Sequence, residues 1–176
     1  MIPSHTNSFL KPYDFSAALS LSPAERCKIC VERVEERYRR NGLGWWEDTP
    51  MVPPVGASRQ ELEQLESVLG LPLPTEYFQF LCHWCYFNVE ASGLCVWGTN
   101  YKSVSMGRPW VSANHRAPYR YLVFADYWKH ADGDQLIFDL NDSAVPVVAS
   151  LHEQGLIEYF APSFSLSLWR MVYEED

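Results

Sequence analysis

The chain has 176 residues, a length that supports one domain with a substantial hydrophobic core. Hydrophobic residues make up 47% of the chain and aromatic residues 15%, which excludes a mostly disordered protein. The formal net charge of -8 argues against a nucleic-acid-binding protein, which would show a basic face. It suits a basic protein partner, although many proteins are mildly acidic for solubility alone.

No targeting segment is evident in the sequence. The N-terminal stretch MIPSHTNSFLKPYDF lacks the charged start and the apolar run of a signal peptide. No stretch approaches the roughly 20 apolar residues that a membrane-spanning helix needs. We therefore expect a cytoplasmic protein that does not associate with a membrane and whose five cysteines stay reduced.

The N-terminal part is predicted to be an irregular arm followed by one helix. Residues 1–21 are polar with scattered aromatic residues, whereas Ser22 and Glu25 form a capping box around Pro23. A helix is predicted from there to Arg40. Its apolar face consists of Cys27, Cys30, Val31, Val34 and Tyr38.

Residues 43–57 are predicted to form a loop, because three prolines and two glycines prevent regular structure there. The loop carries Trp45 and Trp46 beside Glu47 and Asp48. Adjacent tryptophans in a loop either cover the core or form an apolar edge for a partner, and both interpretations stay open.

The stretch from residue 58 to residue 87 predicts two helices joined by a proline-rich corner. Ser58 and Glu61 form a second capping box, and Gly70 is suited to end the first helix. Pro72 and Pro74 impose an extended connection, and Pro74 also suits a helix start. The apolar faces of the two helices consist of Leu62, Leu65 and Leu69, and of Tyr77, Phe80, Leu81 and Trp84.

Beyond this helix pair the hydrophobic pattern changes from period 3.6 to period 2, which is typical of strands. Strands are predicted at residues 93–105 (with a break at 98–100), 119–128, 135–140, 144–151 and 156–161. Residues 106–118 are predicted to be mostly loop, and a last helix begins at Pro162 and Ser163. Helices, a meander of strands and a closing helix predict an α+β fold with a mostly antiparallel sheet.

Three short motifs occur in order between residues 58 and 173. They are Leu69-Gly70-x-x-Leu73-Pro74 between two helices, Gly133-Asp134-x-x-x-Phe138-Asp139, and Ala161-Pro162-Ser163-Phe164. Together they resemble the SUKH superfamily, which includes bacterial toxin-immunity proteins and the yeast cell-wall regulators of the Smi/Knr type. The resemblance implies a single SUKH-like domain at residues 58–176, with the arm, helix and tryptophan loop of residues 1–57 packed on it.

The resemblance also implies a function in interbacterial competition. The expected protein is a non-enzymatic immunity protein, or antitoxin, that neutralises a cognate toxin domain and uses no cofactor. Because the binding surface of such proteins varies with the toxin, no family site residue is carried over. The motif residues themselves are expected to be structural: Gly70, Pro74, Gly133, Asp134, Asp139 and Ser163.

Candidate partner contacts combine aromatic and acidic side chains, since tryptophan and tyrosine are favoured at interface hot spots. They are Trp45, Trp46, Glu47 and Asp48 in the loop, and Tyr127, Trp128, His130, Asp132 and Asp134 around the turn between two strands. A toxin that acts on nucleic acid would be basic around its active site, and an acidic inhibitor would occlude that site.

Two pairs of cysteines suggest an alternative, a zinc- or thiol-dependent protein. Cys27 and Cys30, with Cys82 and Cys85, form two CxxC pairs. The pairs are separated by 51 residues rather than the roughly 15–20 typical of zinc ribbons, and both lie in predicted helices. We therefore expect no metal site and treat these cysteines as small apolar residues. A non-enzymatic regulatory scaffold is a further alternative.

Overall fold

A computed structural model describes residues 8–41, 55–89, 94–99, 109–113 and 120–174, and these residues form an α+β fold. The helices are α1 (Ser16–Leu19), α2 (Pro23–Asn41), α3 (Arg59–Leu69), α4 (Thr75–Trp84) and α5 (Phe164–Tyr173). The strands are β1 (Phe87–Val89), β2 (Leu94–Val96), β3 (Trp110–Ala113), β4 (Arg120–Tyr127), β5 (Gln135–Asp139), β6 (Val147–Leu151) and β7 (Leu156–Ala161). The predicted fold class is confirmed.

The described strands form one antiparallel sheet organised around β4. The strand order is β1-β2-β4-β5-β6-β7, and β3 pairs with β4 beside β2. The C-terminal half of β4 pairs with β2, where Cys95 lies opposite Asp126. Its N-terminal half pairs with β3, where Val111 lies opposite Leu122. The long strand β4 therefore pairs with β2 and β3 along one edge and with β5 along the other.

Local sequence signals set the helix boundaries. The Ser58 hydroxyl accepts a hydrogen bond from the Glu61 N–H at 3.3 Å, and the Glu61 carboxylate accepts one from the Ser58 N–H at 2.7 Å. Ser22 and Glu25 make the same reciprocal pair before α2. Gly70 ends α3 in the left-handed region with φ of 70°. Both predicted capping boxes are confirmed.

Aromatic rings form the centre of the core between the sheet and the helices. The fully buried Tyr77 ring lies 5.2 to 5.6 Å from the rings of Phe124, Phe138 and Phe164. Its hydroxyl donates to the backbone carbonyl of Trp97, which satisfies the polar end of a buried tyrosine. Residues from α4, β4, β5 and α5 are thus packed around one side chain.

The segment before α3 is part of the same core. α2 packs against α5, and the buried Arg26 donates to the carbonyls of Ala18 and Leu21 and to the Ser165 hydroxyl, at 2.7 to 3.0 Å. These bonds satisfy the buried guanidinium, and they connect α2 with residues 18 and 21 and with Ser165 on α5. The buried apolar face of α2 includes Cys27, Cys30, Val31 and Val34.

The short strands differ most from expectation. The predicted loop at 106–118 contains β3, and β1 was not predicted, whereas the described part of the predicted strand at 93–105 is limited to β2. Strands of three or four residues are too short to show an alternation of apolar and polar side chains. Their strand conformation is determined here by pairing with neighbouring strands.

Candidate partner-binding surface

The turn between β4 and β5 presents an aromatic ring, an imidazole and a carboxylate to solvent. Trp128 is 37% exposed, and His130 and Asp132 are also exposed. Gly133 adopts φ of 97°, a conformation that side-chain-bearing residues rarely adopt. The glycine therefore allows the turn that brings these three predicted contact residues to one end of the sheet.

Two of the predicted contact residues are inside the protein instead. Tyr127 and Asp134 have no exposed surface. The Tyr127 hydroxyl donates to the Glu174 carboxylate, and the Asp134 carboxylate accepts the His152 N–H at 2.7 Å. Both side chains therefore lie beneath the surface, Tyr127 against Phe160 and Glu174, and Asp134 against the next hairpin turn. Asp134 connects two turns rather than capping its own.

The N-terminal arm adds a residue that the sequence did not suggest. The Glu158 carboxylate on β7 accepts hydrogen bonds from the Ser8 hydroxyl and from the Phe9 and Leu10 N–H groups, at 2.7 to 2.8 Å. This arrangement places the Phe9 ring 5.2 Å from the His130 ring in edge-on geometry. Phe9 is 45% exposed, so it extends the aromatic surface.

Two exposed acidic residues lie on this turn and on the adjacent one. Asp132 and, on the adjacent β6–β7 turn, Glu153 are exposed, and neither forms an ion pair within the described ranges. The positive charge of the nearby Lys129 is offset by the Glu174 carboxylate, which lies 3.7 Å from the Lys129 amine. We define the turn surface as Phe9, Trp128, His130, Asp132 and Glu153. It combines exposed aromatic area with uncompensated negative charge, which suits a basic protein partner.

The other predicted contacts lie elsewhere in the chain. Trp45, Trp46, Glu47 and Asp48 fall outside the described residues, so their part in a surface stays a prediction.

The four cysteines of the CxxC pairs lie on α2 and at the end of α4. Cys27 and Cys30 are buried on α2, Cys82 is exposed on α4, and the buried Cys85 has its Sγ 3.0 Å from the Thr99 hydroxyl. Burial raises the pKa of Cys27 to about 12 and also raises the pKa of Cys30, so both thiols are neutral at physiological pH. Within the described ranges, no group of three or more His, Cys, Asp or Glu residues is placed to hold a metal ion.

The motif residues occupy element boundaries. Pro74 precedes the first residue of α4, and Ser163 occupies the cap position of α5 without a side-chain cap bond. The Asp139 carboxylate accepts from the Asn141 N–H at 2.9 Å at the end of β5. These positions set turns and helix starts, which is consistent with the structural role expected of them.

Among the described residues, no helix is long and apolar enough to cross a bilayer. The family to which the chain belongs is shown by its sequence. The model of the SMI1 / KNR4 family (SUKH-1) matches residues 56–168, more than half of the chain, and the chain therefore belongs to this family. Searches of curated proteins and of solved structures found no match.

Proposed function

We propose that this protein is a cytoplasmic immunity protein that binds a cognate bacterial toxin and neutralises it. Membership in the SMI1 / KNR4 family supports the proposal, because the family is consistent with a toxin-immunity role. SUKH domains are generally immunity proteins rather than enzymes, which supports a non-catalytic mechanism. The proposed mode of binding rests on the turn surface, which combines exposed aromatic rings with exposed carboxylates.

The proposed mechanism is occlusion of the toxin active site. A toxin that acts on nucleic acid needs basic side chains around that site to hold phosphate groups. The turn surface offers carboxylates at Asp132 and Glu153, and the whole chain carries a net charge of -8. Opposite charges accelerate encounter, while the rings of Phe9 and Trp128 supply the apolar contact that holds a complex together.

The first test is affinity capture from the source organism with two tagged baits. Wild-type protein is expected to retain one toxin-domain protein in stoichiometric amount, identified by mass spectrometry. The double variant Trp128→Ala/Asp132→Lys is expected to lose most of it, because hot-spot truncation and charge reversal each weaken such interfaces by roughly tenfold or more.

A matched control removes the same residue types away from the turn surface. Trp110→Ala/Glu32→Lys changes an exposed tryptophan on β3 and an exposed acid on α2. This variant is expected to retain the toxin as wild type does. Equal capture by all three baits would rule out the turn surface, and no stoichiometric protein on the wild-type bait would oppose the proposed function.

A further inference from the structure

An apolar groove opens at the end of the sheet opposite the turn surface. It has a volume of about 600 Å³, which lies within the roughly 300–1,000 Å³ typical of small-molecule sites. Its lining comes from the α3–α4 connection, β5, the β5–β6 turn and the start of α5. The apolar side chains that line it include Leu71, Leu73, Phe138, Leu140, Val145 and Phe164.

Two side-chain donors at this groove have no acceptor among the described residues. The Arg120 side chain is exposed, and no described residue accepts a hydrogen bond from its guanidinium. The Ser163 hydroxyl is buried, and it has no hydrogen-bond partner among the described residues. A buried hydroxyl without a partner costs about 1–3 kcal/mol, so a bound acceptor at this position would stabilise the protein.

The position of Arg120 is fixed by its backbone. The Asn141 side chain accepts from the Arg120 N–H at 3.0 Å and donates to the Arg120 carbonyl at 3.2 Å. The Asp139 carboxylate in turn accepts from the Asn141 amide at 2.7 Å. The base of Arg120 is thereby held at the edge of the groove, while its charged end stays available to a ligand.

The wall at residues 71–74 is poorly suited to a peptide. Pro72 and Pro74 have no N–H, the Leu73 N–H donates to the Glu66 carboxylate at 2.8 Å, and the Leu71 N–H donates to the Glu66 carbonyl at 3.3 Å. A peptide carbonyl buried against this wall would lack a donor, which is unfavourable. An apolar hydrocarbon chain has no carbonyl group that would be left without a donor.

We propose that the groove binds an apolar monocarboxylate. Its chain lies on the apolar lining, and its carboxylate pairs with the Arg120 guanidinium and supplies the acceptor that the Ser163 hydroxyl lacks. Arginine matches a carboxylate through two parallel hydrogen bonds, which favours this head group over a neutral one. The Glu76 carboxylate in the lining is already bonded to the Ser165 N–H at 2.8 Å. This site is separate from the turn surface and does not depend on toxin binding.

The test titrates octanoate and 1-octanol into the full chain labelled with ¹⁵N, and follows amide chemical shifts. Octanoate is expected to cause saturable shifts at Leu140 and Phe164 and to bind roughly tenfold more tightly than 1-octanol. Arg120→Gln is expected to weaken octanoate binding roughly tenfold, and Ser163→Ala several-fold. The control Arg59→Gln changes an exposed arginine on α3 and leaves binding unchanged.

A second variant tests the groove without changing the charge of Arg120. Ala144→Trp adds an indole to an exposed position of the groove lining and is expected to prevent octanoate binding while the rest of the spectrum stays native. The proposal is overturned if octanoate causes no groove shifts up to its solubility limit. Equal octanoate affinity for Arg120→Gln, or tighter binding of an apolar peptide amide, would overturn it as well.

Discussion

At the scale of single residues, Glu174 is the centre of a partly buried polar network. Its carboxylate accepts hydrogen bonds from the Tyr127 hydroxyl and from the Arg170 guanidinium, the latter at 2.8 and 3.1 Å. Arg170 is 2% exposed and also donates to the carbonyls of Phe160 and Lys11. One acidic residue thus connects the end of α5 with β4 and, through Arg170, with β7 and the arm.

The network predicts a stability that depends on pH. Burial alone raises the pKa of Glu174, but hydrogen bonds from Arg170 and Tyr127 and the positive charges of Arg170 and Lys129 outweigh it and lower the pKa below 4.5. Because the folded pKa is the lower one, the stabilisation is complete above the unfolded value. It is lost as the pH falls through the folded pKa.

We predict that Glu174→Gln lowers the free energy of unfolding by about 2 kcal/mol at neutral pH, since a buried arginine loses its charged partner. The difference between variant and wild type should shrink as the pH falls below 4.5. Urea unfolding at a series of pH values measures it, with the exposed Glu153→Gln as the control. A difference that stays constant across the whole pH range would contradict this role of Glu174.

At the scale of elements, the attachment of the arm to β7 adds Phe9 to the turn surface. The family match begins at residue 56, yet Leu10, Ala18 and the apolar face of α2 lie in the same core as the sheet. Three hydrogen bonds to Glu158 fix Ser8, Phe9 and Leu10 on β7. The segment before the matched region therefore contributes both to the core and to the candidate partner-binding surface.

We predict that Glu158→Gln loosens the arm without unfolding the sheet, because it removes the charge that strengthens these bonds. Hydrogen exchange at the Phe9 and Leu10 amides should accelerate by roughly tenfold or more, while amides of β5 keep their protection. Glu153→Gln on the neighbouring turn provides the control. Unchanged protection at Phe9 and Leu10 would show that the arm is held by other contacts.

Elements defined by local chemistry were predictable from the sequence. A capping box involves residues three positions apart, so Ser58 with Glu61 fixes the start of α3 without knowledge of the rest of the fold. Strand β3 was missed because its pairing with β4, rather than its own four residues, makes it a strand. Local patterns therefore predicted the longer elements, whereas tertiary pairing determined the short ones.

The candidate surface was predictable only in part. The predicted strand 119–128 ends at Trp128, and His130 and Asp132 lie between it and a glycine, which predicts an exposed turn. The contribution of Phe9 depends on a contact with residue 130 that no sequence spacing reveals. The burial of Asp134 depends likewise on a bond to the next hairpin turn, at His152.

At the scale of the whole molecule, the sheet separates two surfaces of different chemistry. The C-terminal end of β4 leads to the turn surface, with exposed rings and uncompensated carboxylates. The N-terminal end leads to an apolar groove with Arg120 at its edge. An acidic surface at one end suits a basic macromolecule, and the Arg120 guanidinium at the edge of an apolar groove suits a small anion.

Neutralisation of the captured toxin tests the central claim most directly. The toxin domain identified by capture is expressed in a bacterial host with wild-type protein, with Trp128→Ala/Asp132→Lys, or with Trp110→Ala/Glu32→Lys. We predict that the wild type and the control pair restore growth, and that the turn-surface variant does not. Continued growth arrest in the presence of wild-type protein that binds the toxin would contradict an immunity function, and full rescue by the turn-surface variant would contradict its mechanism.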